Sequence, residues 1–307
     1  MAYLHSDREQ FRDAIDLAYE QTGVMVQAIE KDYYVTMLLR LLAQKMPYIV
    51  FKGGTSLSKC HKVIRRFSED IDITIDTLLS QGQKKKIKQA IVESAEELGM
   101  TIENLDETRS RRDYNRYVIA YDSVIPMASD ALKAAVLLET SYTAVSFPTV
   151  LLPVHSYIGD MMEQEAPDAI EECNLNPFEM KVQRIDRTLA DKVFAVCDYY
   201  LQGKVAKHSR HLYDIYKLLP LVPQNENFSE LVKEVRAVRA QSAICPSALP
   251  EANVPELLEK IIREKAYKQD YDSLTMQLLE ENVPYDTVIA ALKQIADGAM
   301  FDNTYGG

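Results

Sequence analysis

Arg66-Phe67-Ser68-Glu69-Asp70-Ile71-Asp72-Ile73-Thr74-Ile75-Asp76, read with Phe51-Lys52-Gly53-Gly54-Thr55-Ser56-Leu57 just before it, decides the fold. Asp70, Asp72, Thr74 and Asp76 share one parity; Ile71, Ile73 and Ile75 share the other. Period-two alternation with a β-branched apolar face specifies a strand half buried on its isoleucine side. Same-face residues on a strand stand about 6–7 Å apart, and two carboxylates so placed can converge on hard cations held about 3.5–4 Å apart. An Asp-x-Asp is equally an ordinary solvated strand edge, so the motif alone leaves both readings open. The residues before it shift the balance. The apolar run 48–51 reads as a short strand, and Gly53-Gly54-Thr55 opens a helical segment over 56–63. A glycine-rich turn at a helix start offers backbone N–H groups and a favourable dipole end to phosphate. A phosphate cradle beside a dication site is an arrangement that a nucleotide explains.

Ile29-Glu30-Lys31-Asp32-Tyr33-Tyr34-Val35-Thr36, then the glycine run through Ser58-Lys59, then Arg66 to Asp72 closely resemble the AbiEii/AbiGii family of nucleotidyltransferase toxins. That family belongs to type IV toxin–antitoxin and abortive-infection systems and is related to the mycobacterial MenT toxins. The likeness is specific over 29–76 and continues more weakly to about 220. It implies an α+β, polymerase-beta-like nucleotidyltransferase fold: a small mixed sheet flanked by helices, with a helical C-terminal region. The division it implies is a catalytic core with N-terminal helices over 1–150, and a mostly helical domain over 151–307 that contributes Lys192 and Asp214 to the site. The implied chemistry is transfer of a nucleoside monophosphate from an NTP, with Mg²⁺ or Mn²⁺ as cofactor and pyrophosphate released. An RNA acceptor such as a tRNA 3′ end, a separately encoded antitoxin and a part in phage defence through growth arrest are implied with it. Two other readings stand beside this one: a nucleotidyltransferase acting on a small molecule or a protein hydroxyl, and a catalytically silent nucleotide-binding regulator. Loss of an acid would favour the last, yet all the expected acids are present. The span from Thr55 to Asp70 is longer than in compact nucleotidyltransferases, a departure the AbiEii-like sequences share.

Composition agrees with a folded, cytoplasmic enzyme. The 307 residues are 47% hydrophobic, enough for a sizeable core. No run approaches the ~18 apolar residues of a membrane span, and residues 1–8 lack the pattern of a secretory signal. Four scattered cysteines, Cys60, Cys173, Cys197 and Cys245, suggest neither zinc nor a disulfide framework. A net charge of −11 argues against broad, sequence-blind nucleic-acid binding, while leaving room for one local basic patch.

Along the chain, helices are expected over 7–21, with Ser6 as cap, and over 26–45, ended by Pro47. Glu30-Lys31-Asp32 near the start of the second reads as end-capping charge or as a brace for the glycine turn. Lys84-Lys85-Lys86-Ile87-Lys88 begins a helix stopped by Gly99, its lysines either a solvated face or an RNA-facing patch. Strands follow over 101–105, 114–121 and 133–142, joined by turns. Between the first two, the arginines and tyrosines of 109–117 are a soluble hairpin tip or a surface that stacks bases and grips phosphate. Glu139 emerges from the apolar run Leu137-Leu138, where an acid is costly unless paired or metal-bound. By resemblance it is the third carboxylate beside Asp-x-Asp, a metal ligand or general base; strand-end exposure is the alternative.

The stretch 148–177 reads as turn-rich, with one helix near 157–164 and a strand over 178–182 after it. A helix over 186–201 carries the stripe Leu189, Val193, Val196 and Tyr200, with Lys192 at its edge. Such a lysine snorkels or points into a phosphate site, and by resemblance it contacts the nucleotide phosphates. Arg66 is a second candidate for that role. Asp214 pairs with Arg210 at i−4 or, by resemblance, completes the site. His208 and His211 read as surface histidines rather than ligands. Helices over 228–240, 254–265, 267–281 and 285–296 and a frayed tail at 301–307 complete the chain. In the site so assembled, Asp70, Asp72 and Glu139 hold the metal, Gly53, Gly54 and Thr55 cradle phosphates, and Glu139 or Asp72 takes the proton of the attacking hydroxyl.

Overall fold

The computed structural model describes residues 3–66, 68, 70–75, 77–126, 134–145 and 147–302; Asp76, Lys133 and the last residues of the expected frayed tail, 303–307, lie outside them. The chain forms two compact units, Met1–His61 with Ser68–Gln183, and Lys62–Phe67 with Arg184–Gly307. The sequence reading put the boundary at 150. Two further strands pair into the sheet beyond that point and carry the first unit to Gln183.

In the first unit, α1 (Arg8–Thr22) and α2 (Val26–Lys45) precede β1 (Ile49–Lys52), α3 (Gly53–Lys59) and β2 (Asp70–Ile75). Asp7, not Ser6, caps α1, its carboxylate accepting from the Glu9 and Gln10 amides. Then come α4 (Gln81–Glu97), β3 (Thr101–Ile102), β4 (Tyr114–Ala120), β5 (Ala135–Val145), β6 (Thr149–Val154), α5 (Tyr157–Glu165), α6 (Pro167–Glu172) and β7 (Phe178–Gln183). Among the described residues these seven strands make one mixed sheet, ordered β3-β4-β5-β2-β1-β7-β6. β6 lay hidden in the stretch read as turns because of Pro148 and Pro153. At the sheet's edge, paired only with β7, it tolerates a residue without an N–H.

β2 sits near the middle, antiparallel to β1 and parallel to β5. Ile71, Ile73 and Ile75 are at most 1% exposed and pack with Phe51, Leu138, Tyr117 and Ile119, together with Leu38 of α2 and Ile91 of α4. Each such burial contributes about 1.5–3 kcal/mol. A one-residue slip of β2 would send the isoleucines outward and the aspartates into that core, so the same residues that stabilise the sheet fix which face carries the acids.

The second unit is helical: α7 (Ile185–Leu201), α8 (Arg210–Leu218), α9 (Glu226–Arg239), α10 (Val254–Glu264) and a last helix, Tyr285–Ala296. Leu189, Val193, Phe194, Val196 and Cys197 are wholly buried, so α7 is packed on more sides than one stripe indicates. The helix expected over 267–281 is broken into Lys268–Asp270, a π-helical Tyr271–Thr275 and Met276–Leu278. Buried Tyr267 and Tyr271 explain the break, donating to the Val196 and Val283 carbonyls at 2.7 and 2.9 Å. Residues 62–66 make contacts here too: Glu280 N donates to Arg65 O at 3.0 Å, and Arg66 bridges Leu279. The long span between Thr55 and Asp70 is thus an excursion of the chain into the second unit.

Candidate active site

β1 passes straight into α3 at the glycines, three residues earlier than the sequence reading placed the helix. Gly53 has φ +78°, open to glycine and strained for other residues, and an added Cβ there would lie 2.0 Å from Asp72 Oδ2. The Asp72 carboxylate therefore rests against the Gly53 backbone. Thr55, 2% exposed, donates its hydroxyl to the Asp70 carbonyl at 2.5 Å and lies 2.9 Å from Ser68 Oγ. That hydroxyl fastens the turn to β2, so within the expected cradle the turn's backbone is the part left to meet a phosphate. Ser56 Oγ donates to Gly53 O at 2.9 Å. At the far end of α3, Lys59 is ion-paired with Asp32, whose second oxygen accepts from Tyr157 N at 3.1 Å. Asp32 thus braces the helix that carries the glycine turn.

Across the sheet, Lys52, Asp72, Glu139 and Arg116 occupy one register row on β1, β2, β5 and β4. Neighbouring strands lie about 4.7–4.9 Å apart and in-register residues share a face, so Asp72 and Glu139 are side-chain neighbours. Asp70 lies two residues before Asp72, opposite Leu137. Among the described residues, no three acids, histidines or cysteines are gathered closely enough to hold a metal ion by themselves. The expected trio is therefore one facing pair, Asp72 and Glu139, with Asp70 on the same strand parity.

Glu139 has two partners that the sequence did not assign to it. Arg116 Nε stands 3.7 Å from its Oε1. Tyr114, on the same face of β4 and half exposed, has its phenol beside the Glu139 carboxylate; burial and then the Glu139 charge push its pKa up. The sequence singled out both residues only as part of an arginine–tyrosine tip. What it lacked was the β4–β5 register that sets Arg116 against Glu139.

The other nominated residues meet within the second unit. Arg66 grips Asp214 with both prongs, Nε to Oδ1 at 2.7 Å and Nη2 to Oδ2 at 2.8 Å, and Lys192 Nζ reaches Oδ2 at 2.6 Å. Side-chain exposure is 2% for Arg66, 7% for Lys192 and 0% for Asp214, so this is a buried ion triad. Lys192 does not snorkel, and Asp214 finds its main partner 148 residues away rather than at Arg210. Burial alone would raise the Asp214 pKa, but Arg66 and Lys192 outweigh it and hold the carboxyl well below its ordinary range. His211, expected at the surface, has its Nδ1 shut off from solvent and stacks on Tyr199 at 5.7 Å; His208 stacks on the same ring at 3.6 Å. Burial, then the Lys192 charge, drives the His211 pKa well below 6.5.

A family model described as the nucleotidyl transferase AbiEii toxin of type IV toxin–antitoxin systems matches residues 36–293, a span that holds Gly53, Asp70, Asp72, Glu139, Lys192 and Asp214. Comparison with curated proteins finds no match. Among solved structures, the nucleotidyltransferase toxin MenT4 of Mycobacterium tuberculosis H37Rv matches with a TM-score of 0.52 and 16% identity, over 92% of this chain and 88% of that one. At that identity the likeness carries the fold, a mixed sheet flanked by helices. The chain belongs to the AbiEii family of type IV nucleotidyltransferase toxins and is a nucleotidyltransferase.

Proposed function

We propose that the protein moves a nucleoside monophosphate from an NTP to a hydroxyl of an RNA acceptor, a tRNA 3′ end in the reading the family resemblance favours, and so arrests growth. The observation that carries the catalytic part is Asp72 facing Glu139 across β2 and β5 while its carboxylate rests on Gly53. The acceptor oxygen attacks the α-phosphorus, the bond to the bridging oxygen of the β-phosphate breaks, and pyrophosphate leaves with that electron pair. Glu139, flanked by Tyr114 and Arg116, or its neighbour Asp72, accepts the hydroxyl proton. The backbone of Gly53 and Gly54 lines the approach of the phosphates, where any side chain at 53 would collide with Asp72.

The oxygen-only donor set of Asp70, Asp72 and Glu139 suits a hard divalent cation. Mg²⁺ usually takes one or two carboxylates and completes its shell with substrate phosphates and water, so a facing pair with a third acid nearby is sufficient. When bound, such an ion neutralises charge on the triphosphate and the departing pyrophosphate. In the second unit, two cations share the Asp214 carboxylate, a local positive surplus. That surplus supports the phosphate role the resemblance gives to Lys192 and Arg66.

The test is to incubate the protein with each α-labelled NTP and with total RNA, total protein or a metabolite extract. Label entering RNA is the expected result. Label confined to protein or metabolites would overturn the RNA assignment and favour a protein or small-molecule hydroxyl as acceptor.

A further inference from the structure

Two basic runs distant in sequence are bolted together in the first unit. Lys84 Nζ pairs with Asp113 at 2.5 Å, and Lys88 Nζ donates to the Thr108 and Leu105 carbonyls at 2.9 and 3.3 Å. The loop between β3 and β4 is itself braced, Asn115 exchanging hydrogen bonds of 2.8 and 3.0 Å with the Arg109 backbone. Across 84–88 and 105–116 there are eight lysines and arginines against three acids, a local excess of five in a chain of net charge −11. Lys85, Lys86 and Arg111 are exposed, and their side chains make no hydrogen bond or ion pair among the described residues.

Helix stability alone does not put lysines there. The first turn of α4 lies at the positive end of its dipole, where acids stabilise and cations do not; it holds no acid and ends in Lys84, with Lys85 and Lys86 directly after it. Lys84 and Lys88 are also a like-charged i,i+4 pair, a further small cost. The ridge continues into Tyr114, an exposed ring beside Glu139, and Arg116 next to the same carboxylate. Exposed cations ending at an exposed aromatic ring match what single-stranded nucleic acid needs, charge along its backbone and a stacking platform for a base.

We propose that this ridge, the start of α4 and the loop before β4, binds the sugar–phosphate backbone of the acceptor strand and leads its end along β4 to Glu139. The proposal rests on the transferase reading for the chain's need of an RNA acceptor, but its own test is a binding measurement.

A labelled single-stranded poly(U) 20-mer is titrated with the full-length protein at several KCl concentrations, for wild type and for Lys85→Ala/Lys86→Ala/Arg111→Ala. Each phosphate contact contributes about 0.7 to the slope of log affinity on log salt for a single strand. The triple variant should therefore lose about 2 from that slope and bind at least tenfold more weakly at low salt, with its melting temperature and NTP affinity kept. The charge-preserving Lys85→Arg/Lys86→Arg/Arg111→Lys protein should bind as wild type. An unchanged slope and affinity in the alanine variant would overturn the ridge, as expected if an acidic protein docks there instead. Wild type that binds RNA through the ridge yet transfers no nucleotide would overturn the transferase reading and uphold the ridge as a binding surface.

Discussion

Asp72 and Glu139 stand opposite one another on parallel strands, and Asp72 leaves Gly53 no room for a side chain. Three segments far apart in sequence therefore depend on a single register, so the cost of disturbing one can be read at another.

Gly53→Ala forces an L-residue to φ +78° and a methyl into the Asp72 carboxylate. Nucleotide transfer should fall to background, with a loss of about 1–2 kcal/mol for the left-handed conformation and more for the collision. Repeating the substitution in an Asp72→Gly background should recover part of that stability. Denaturant unfolding of the four proteins in the cycle checks it; strict additivity would show that the close approach does not exist in solution.

Tyr114→Phe removes the phenol that lies beside Glu139 and keeps the ring. The expected result is a drop of about 5–10-fold in kcat, the equivalent of one hydrogen bond, with KM for the NTP unchanged. Glu139→Gln should cost 100-fold or more. Steady-state kinetics on both variants separates a positioning residue from a merely structural one, which would leave kcat alone.

Asp214→Ala leaves Arg66 and Lys192 buried without their shared carboxylate. Breaking a buried pair in this way costs about 3–5 kcal/mol, so the unfolding midpoint in urea should shift strongly. Arg210→Ala leaves both partners of the Asp214 carboxylate in place and should cost less than Asp214→Ala. Equal effects of the two would contradict the triad.

His211 is kept neutral by burial and by Lys192 and Arg210, against the opposing charge of Asp214, and neighbouring His208 is lowered as well. With a folded pKa below 6.5, the unfolded chain binds the proton more readily as pH falls through that value. Stability is therefore full above about pH 6.5 and declines below it. His211→Phe keeps a ring against Tyr199 and removes the titration. Its denaturation midpoints at pH 5.5 and 7.5 should differ less than those of wild type; an unchanged difference would assign the decline to other groups.

How much of this was legible in the sequence depends on the range of the interaction. Local signals were clear: the isoleucine–aspartate alternation gave β2 and its faces, and the apolar run of α2 gave a buried helix. Pairings across long separations were not. Nothing near Asp214 announces Arg66, and nothing near Glu139 announces Tyr114, because register and burial decide those partners and neither has a local code. Thr55 shows the same limit in reverse. Its place in a glycine turn suggested a phosphate ligand, whereas its hydroxyl meets the Asp70 carbonyl, an atom the motif reading does not consider. The unit boundary moved for the reason β6 was missed: prolines that discourage a central strand are tolerated at an edge.

The most direct measurement is transfer of label from α-labelled NTPs to total RNA by Asp70→Ala/Asp72→Ala beside wild type, with circular dichroism confirming that both are folded. The expected result is a folded double variant with transfer at background level and no growth arrest on expression. A folded double variant that still labels RNA at near the wild-type rate would contradict it.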